Sequence, residues 1–125
     1  MDFDANRAIW TQLVEEFTRR IATGAWAPGE RVPSVRELAA ELGVNPNTVQ
    51  RSLAELETTG LAETQRTSGR YVTADQVLIA RRRRDLADAA AADYVDAVRR
   101  LQLSESDARD LVTERWNTTK ESLDA

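Results

Sequence analysis

Residues 34–60 read SVRELAAELGVNPNTVQRSLAELETTG, two short helical periods bracketing a three-residue turn. Ser34 followed three residues later by Glu37 forms a capping box, in which each side chain satisfies an amide that a helix start leaves unpaired. Val35, Leu38, Ala39 and Leu42 then recur on one face, and Gly43 supplies the left-handed position that stops the helix. Asn45 and Pro46 restart it, because asparagine is a strong N-cap and proline is tolerated at the first helical position. Val49, Leu53 and Leu56 make the buried stripe of the second helix. Asn47, Thr48, Gln50, Arg51, Ala54 and Glu55 are left on its flanks and outer face, and Gly60 closes it. The stretch therefore reads as a helix-turn-helix.

The outer face carries amide, hydroxyl and guanidinium groups, the chemistry that groove edges of DNA accept. Asn or Gln suits adenine, Arg suits guanine, and Thr suits phosphate or a thymine methyl. A recognition helix presents such residues from its N-terminal turns; the plain alternative is a polar, solvated face. Immediately downstream, Leu61–Gln65 and Arg70–Thr73 can pair as a hairpin around the turn residues Arg66, Thr67, Ser68 and Gly69. Beside a recognition helix this is a wing whose basic tip, Arg66, Ser68, Gly69 and Arg70, reaches backbone or minor groove. Alone it would be a surface turn with two arginines.

Upstream, residues 1–8 read as a loose arm and Ala8–Thr23 as a helix with Ile9, Leu13, Val14, Phe17 and Ile21 in one apolar stripe. Trp10 lies next to that stripe, open either to packing or to a partner chain. Gly24 stops the helix, Trp26 packs back on the domain, and Pro28-Gly29 turns the chain into a short strand over Glu30–Val32 beside the wing. All five glycines and all three prolines lie in the first 70 residues, so the remainder is expected to be helical. One tail helix spans Gln76–Leu101 and a second, capped by Ser104 and Asp107, spans Glu105–Thr118. Leu86, Ala90, Tyr94, Val98, Leu101, Leu111, Val112 and Trp116 form apolar faces too large for a two-helix hairpin to cover alone, which points to a second copy of the chain. In Arg81–Arg84 four consecutive residues wrap most of a helical turn, so they cannot share one partner. Pairing with Asp85 and Asp88 and solvation account for most of the run, with a contact to DNA or to the other subunit left open.

The chain has 125 residues and a formal charge of −4, awkward for a nucleic-acid binder, for which a basic footprint is expected. Distribution outweighs the sum: Leu42–Ala54 and Thr64–Ala74 contain no acid, so the recognition-helix start and the wing are the locally cationic parts. Cysteine and histidine are both absent, which removes disulfides, thiolate metal sites and the commonest metal ligand and general base. Carboxylate pairs such as Glu15-Glu16 and Glu55-Glu57 have no nucleophile, metal set or phosphate loop beside them, so catalysis, cofactors and bound metal are not expected. No stretch reads as a signal peptide and no apolar run approaches the roughly 20 residues of a membrane span. The expected location is the cytoplasm.

The residues ATGAWAPGERVPSVRELAAELGVNPNTVQRSLAELETTGL at 22–61, with Ile9, Gln12 and Leu13 before them and Gly69 after, resemble the GntR family of bacterial transcription regulators. The resemblance implies DNA contacts from Arg36, Asn47, Thr48, Gln50 and Gly69, with Asn45 and Pro46 at the helix start. Gln50 stands where the family often has arginine, which implies adenine reading or a shift of the guanine contact to Arg51. The short two-helix tail is similar to the YtrA-like subfamily, whose members dimerise through such helices. The expected fold is mainly α with a small β wing: a winged helix-turn-helix over 1–74, then a helical dimerisation tail over 75–125. The expected function is sequence-specific transcriptional regulation, in the form of repression by a homodimer on a palindromic double-stranded DNA operator. A small-molecule effector stays open, and a winged-helix module for protein partners is the alternative.

Overall fold

Leu13, Phe17 and Ile21 of the first helix are sealed from solvent together with Leu38, Val49, Leu53, Leu56 and Leu61, and this one cluster organises the first 86 residues. The structure is a computed structural model and describes residues 1–124. Its elements are α1 (Ile9–Ala22), α2 (Val35–Leu42), α3 (Pro46–Thr58), β1 (Ala62–Gln65), β2 (Gly69–Val72), α4 (Gln76–Arg100) and α5 (Glu105–Asp124). They form two compact units, Met1–Leu86 and Ala87–Ala125. The fold is thus mostly helical with a two-stranded wing, as the sequence pattern requires.

The first unit packs α1 and α2 against α3, each helix contributing the stripe read from its periodicity. Burying each of these large side chains contributes roughly 1.5–3 kcal/mol. Trp26 folds back and stacks on Phe17 with ring centroids 5.2 Å apart. The Arg20 guanidinium lies 5.5 Å from the centre of the Trp26 ring and ion-pairs with Glu16 and, at 2.7 Å, with Glu41. It ties α1 to the last turn of α2, a link no local pattern announces.

The wing is antiparallel, pairing Ala62 with Val72, Glu63 with Tyr71, Thr64 with Arg70 and Gln65 with Gly69. The strand expected over Glu30–Val32 is reduced to a single bridge between Arg31 and Tyr71, flanked by Val32 N–H donating to the Arg70 carbonyl and Val72 N–H to that of Glu30. Pro33, which has no N–H, ends the pairing on one side. The first turns of α4 belong to this unit too: Ile79 is in the core, and Arg83 Nε donates to the Ala22 carbonyl at 2.8 Å. Arg83 thereby caps the C-terminus of α1, where a cation also suits the helix dipole. Arg82 pairs with Asp85, one of the two expected partners, at i,i+3.

Two local expectations are corrected. Residues 1–8 are not a loose arm. Gln12, buried on α1, accepts from Asp4 N–H and donates to the Asp4 and Arg7 carbonyls, while Phe3 packs against the core. In the capping box only the serine bond is formed, from Glu37 N–H to Ser34 Oγ at 3.1 Å.

In the second unit the tail turn has Gln102 at φ 62°, and Ser104 Oγ caps α5 through Asp107 N–H. Tyr94 hydroxyl donates to the Ala108 carbonyl at 2.6 Å, joining the two helices. The last helix continues past Thr118 to Asp124, since no glycine or proline follows to stop it. Val98 is buried, whereas Leu101, Leu111, Val112 and Trp116 are exposed, Trp116 by 73%. Tyr94, Leu111, Val112 and Trp116, with Arg115 and Lys120, line an open groove of about 730 Å³.

Gln12→Ala removes three of the bonds that hold the arm, leaving the Arg7–Glu15 ion pair and Phe3 in place. The expected outcome is faster proteolytic cleavage within residues 1–8, with α1–α3 still protected; an unchanged cleavage pattern would show that Phe3 and the Arg7–Glu15 pair suffice to hold the arm.

Candidate nucleic-acid interface

The orientation of α3 is set from below. Val49, Leu53 and Leu56 are fully buried, and between them the Ser52 hydroxyl, equally buried, lies 2.9 Å from the Thr48 carbonyl and 3.0 Å from the Trp10 carbonyl of α1. Its one proton serves either acceptor. Gly43, at φ 65°, gives the left-handed turn between α2 and α3 that a Cβ would strain. Asn45 Oδ1 accepts from Asn47 N–H at 2.8 Å, so the Asn45 side chain serves as the N-cap. Asn47, Gln50, Arg51 and Ala54 are consequently exposed and Thr48 is half-buried.

The two flanks of this face are held by side chains from opposite directions. On one flank the Arg51 guanidinium lies 4.0 Å over the centre of the Trp10 ring, a cation–π contact of about 0.5–1 kcal/mol at an exposed site. On the other, Gln50 Oε1 accepts from Arg70 Nη1 at 3.4 Å. Arg70 Nε in turn donates to Glu57 Oε1 at 2.5 Å, and the Thr64 hydroxyl donates to the same oxygen. Hydrogen bonding from Thr64, and then from Arg70, holds the Glu57 carboxyl below the ordinary glutamate value, against the opposing effect of its burial.

At the wing tip Arg66 is exposed and Ser68 half-buried, with the Ser68 carbonyl accepting from the Tyr71 hydroxyl. Gly69 sits at φ 105°, and a Cβ there would come within 3.2 Å of the Arg31 guanidinium. Arg36 stands exposed on the first turn of α2. The structure thus brings Gln50 and Arg70 into contact, seats Arg51 on Trp10, and leaves Asn47, Arg66 and Arg36 open to solvent. Trp10, Arg31, Ser52, Glu57 and Thr64 escaped the sequence reading as supports of this surface. For Ser52 alone there was a local signal: a small polar residue interrupting the apolar stripe of α3.

Among the described residues no cluster of three or more acidic, His or Cys side chains is placed to hold a metal ion. No described helix is long and apolar enough to cross a membrane.

Residues 10–72, from the Trp10 platform to the last residue of β2, match the model of the bacterial regulatory proteins, gntR family. The chain belongs to the gntR family. Rv1152 of Mycobacterium tuberculosis, an HTH-type transcriptional regulator, is 37% identical over 114 residues, 90% of this chain and 89% of its own. YtrA of Bacillus subtilis, an HTH-type transcriptional repressor, is 37% identical over 73 residues, 58% of this chain. The match spans 56% of YtrA and that to the B. subtilis regulator YhcF 58% of YhcF, somewhat over half of each relative. A gntR family transcriptional regulator from Listeria monocytogenes has the same fold at TM-score 0.83 and 34% identity, covering 90% of this chain and 98% of that one. Its likeness to YtrA places this gntR protein with the YtrA-like members. These relatives are named as transcriptional regulators, YtrA as a repressor.

The lowered Glu57 carboxyl fixes the acid response of the gntR wing. A depressed pKa contributes stability that is complete above the unfolded value of about 4.3 and is lost as pH falls through the folded value. In an NMR titration the Thr64 and Arg70 amide signals should hold steady down to that ordinary range and move only below it. Movement centred above it would contradict the assignment.

Proposed function

We propose that this chain is a sequence-specific, DNA-binding transcriptional repressor that acts in the cytoplasm as a homodimer on a palindromic operator. The observation that carries the reading is the outward face of α3: Asn47, Gln50 and Arg51 exposed together on a segment without a single acid, beside the exposed Arg66 of the wing. Asn47, Thr48, Gln50 and Arg51 supply base-edge chemistry for the major groove. Arg36, Arg66 and the backbone around Ser68 and Gly69 supply phosphate contacts, which set register without carrying sequence information. The acids that give the chain its net charge of −4 lie outside Leu42–Ala54 and Thr64–Ala74, so wrong faces are repelled while this one is drawn in.

We assign residues 1–74 to DNA reading and 75–125 to pairing of two copies. The exposed Leu101, Leu111, Val112 and Trp116 support the second assignment, since solvent exposure of so much apolar surface marks an interaction site. Ala90, exposed, and Tyr94, half-buried, belong to the same unit, where Val98 is buried; Leu86, half-buried at the end of the first unit, is assigned to pairing as well. A dimer of this kind reads two half-sites about 34 Å apart, or a multiple of that. Repression follows from occupancy of the operator, and YtrA, a named repressor, is a relative over the winged segment.

Arg51→Ala and Arg66→Ala should each weaken operator binding and reduce the dependence of log affinity on log salt by about 1 if the lost contact is to phosphate. Unchanged affinity and slope in both variants would remove the assigned face from consideration. A gel shift with fragments from the gene's own neighbourhood that retards none of them would favour a module for protein partners. Trp116→Asp should shift sedimentation from dimer to monomer at micromolar concentration, leaving helix content unchanged; a wild-type chain that sediments as a monomer would refute the dimer.

A further inference from the structure

The contact between Gln50 and Arg70 joins the recognition helix to the wing through side chains alone. β1 and β2 place Thr64 and Arg70 as a cross-strand pair, and both reach the same Glu57 oxygen on α3. With Nε committed to Glu57, the Arg70 side chain is 19% exposed, and its Nη1 points to Gln50 Oε1. Arginine can only donate, so this partner admits only the oxygen end of the Gln50 amide. A glutamine without it could present either end of a nearly symmetric group.

We propose that Arg70 is a positioning residue, anchored by Glu57, that fixes which way the Gln50 amide faces and so makes Gln50 an adenine reader. The idea rests on the α3 face being the DNA-reading surface. The pinned oxygen keeps a second lone pair, and the amide N–H beside it completes an acceptor–donor pair. That pair matches the N6–H donor and N7 acceptor that adenine shows in the major groove. The Arg70 charge is then balanced by Glu57 within the protein, and phosphate contact is left to the wing tip.

The test is selection from random duplex DNA by wild type, Gln50→Ala, Glu57→Gln and Arg70→Met, with salt titrations on the selected sites and melting curves on each protein. Gln50→Ala should erase the preference at one base pair per half-site, and wild type should favour adenine there. Glu57→Gln and Arg70→Met should lower that adenine preference by roughly tenfold, inside the 5- to 150-fold range of a good bidentate pair, and leave other positions as they are. Glu57→Gln should also steepen the salt dependence by about 1, because the released Arg70 can reach phosphate. Arg70→Met, which keeps the fold's aliphatic stem if Glu57→Gln does not fold, should leave the salt dependence unchanged.

A wild-type preference for another base at that pair, or adenine preference retained in Arg70→Met, overturns the proposal. So does a salt dependence in Arg70→Met that falls by about 1, since that would make Arg70 a phosphate contact. A wild-type protein that selects no DNA overturns the DNA reading itself, whereas selection without these shifts sinks only the Glu57–Arg70–Gln50 link.

Discussion

The packing of α1 against α3 is the constraint on which the rest depends. A helix can offer DNA only the residues its buried side does not use, and in α3 that side is fixed by Val49, Leu53 and Leu56, all sealed from solvent against Leu13 and Phe17. Rotating α3 by one residue, about 100°, would bury Gln50 and turn Val49 and Leu56 out of the core. The Ser52 hydroxyl reinforces the choice, because only in the observed register does it also lie beside the Trp10 carbonyl of α1; the Thr48 carbonyl lies within α3 and turns with it. The face offered to the groove is therefore a by-product of the core.

A second layer acts on the side chains of that face. Long polar side chains on an exposed helix lose conformational freedom when they bind, and each one held beforehand lowers that cost. Here Arg51 rests on Trp10 from α1 and Gln50 is held by Arg70 from the wing. The supports come from both neighbours of α3, so the wing is more than an extra phosphate contact. Glu57 and Thr64 lock it to the helix it flanks.

The limits of α1–α3, their turns and the wing were legible in the sequence because local signals set them: the Ser34 and Asn45 caps, Gly43 at its positive φ, the apolar spacing of α1 and α3. The exposed residues of the interface followed from the same periodicity. The supports were not legible, since Arg70 with Glu57 and Arg20 with Glu41 join residues 13 and 21 apart that meet only once the helices are packed. Residues 1–8 look free when the α1 stripe is read from its apolar residues alone, because a group that holds the arm is the buried amide of Gln12. In Arg81–Arg84, charge spacing could not single out Arg83, whose partner is a backbone carbonyl on another helix.

The chain has no cysteine, so a thiol introduced on α3 reports on that surface without background. Asn47→Cys, treated with a maleimide reagent, gives the most direct measurement: the modification rate free, on a duplex selected by the protein, and on a scrambled duplex. The account predicts rapid modification of the free protein, strong protection on the selected duplex and little on the scrambled one. Equal rates in all three, at DNA concentrations where the protein is bound, would mean that DNA is held by some other surface.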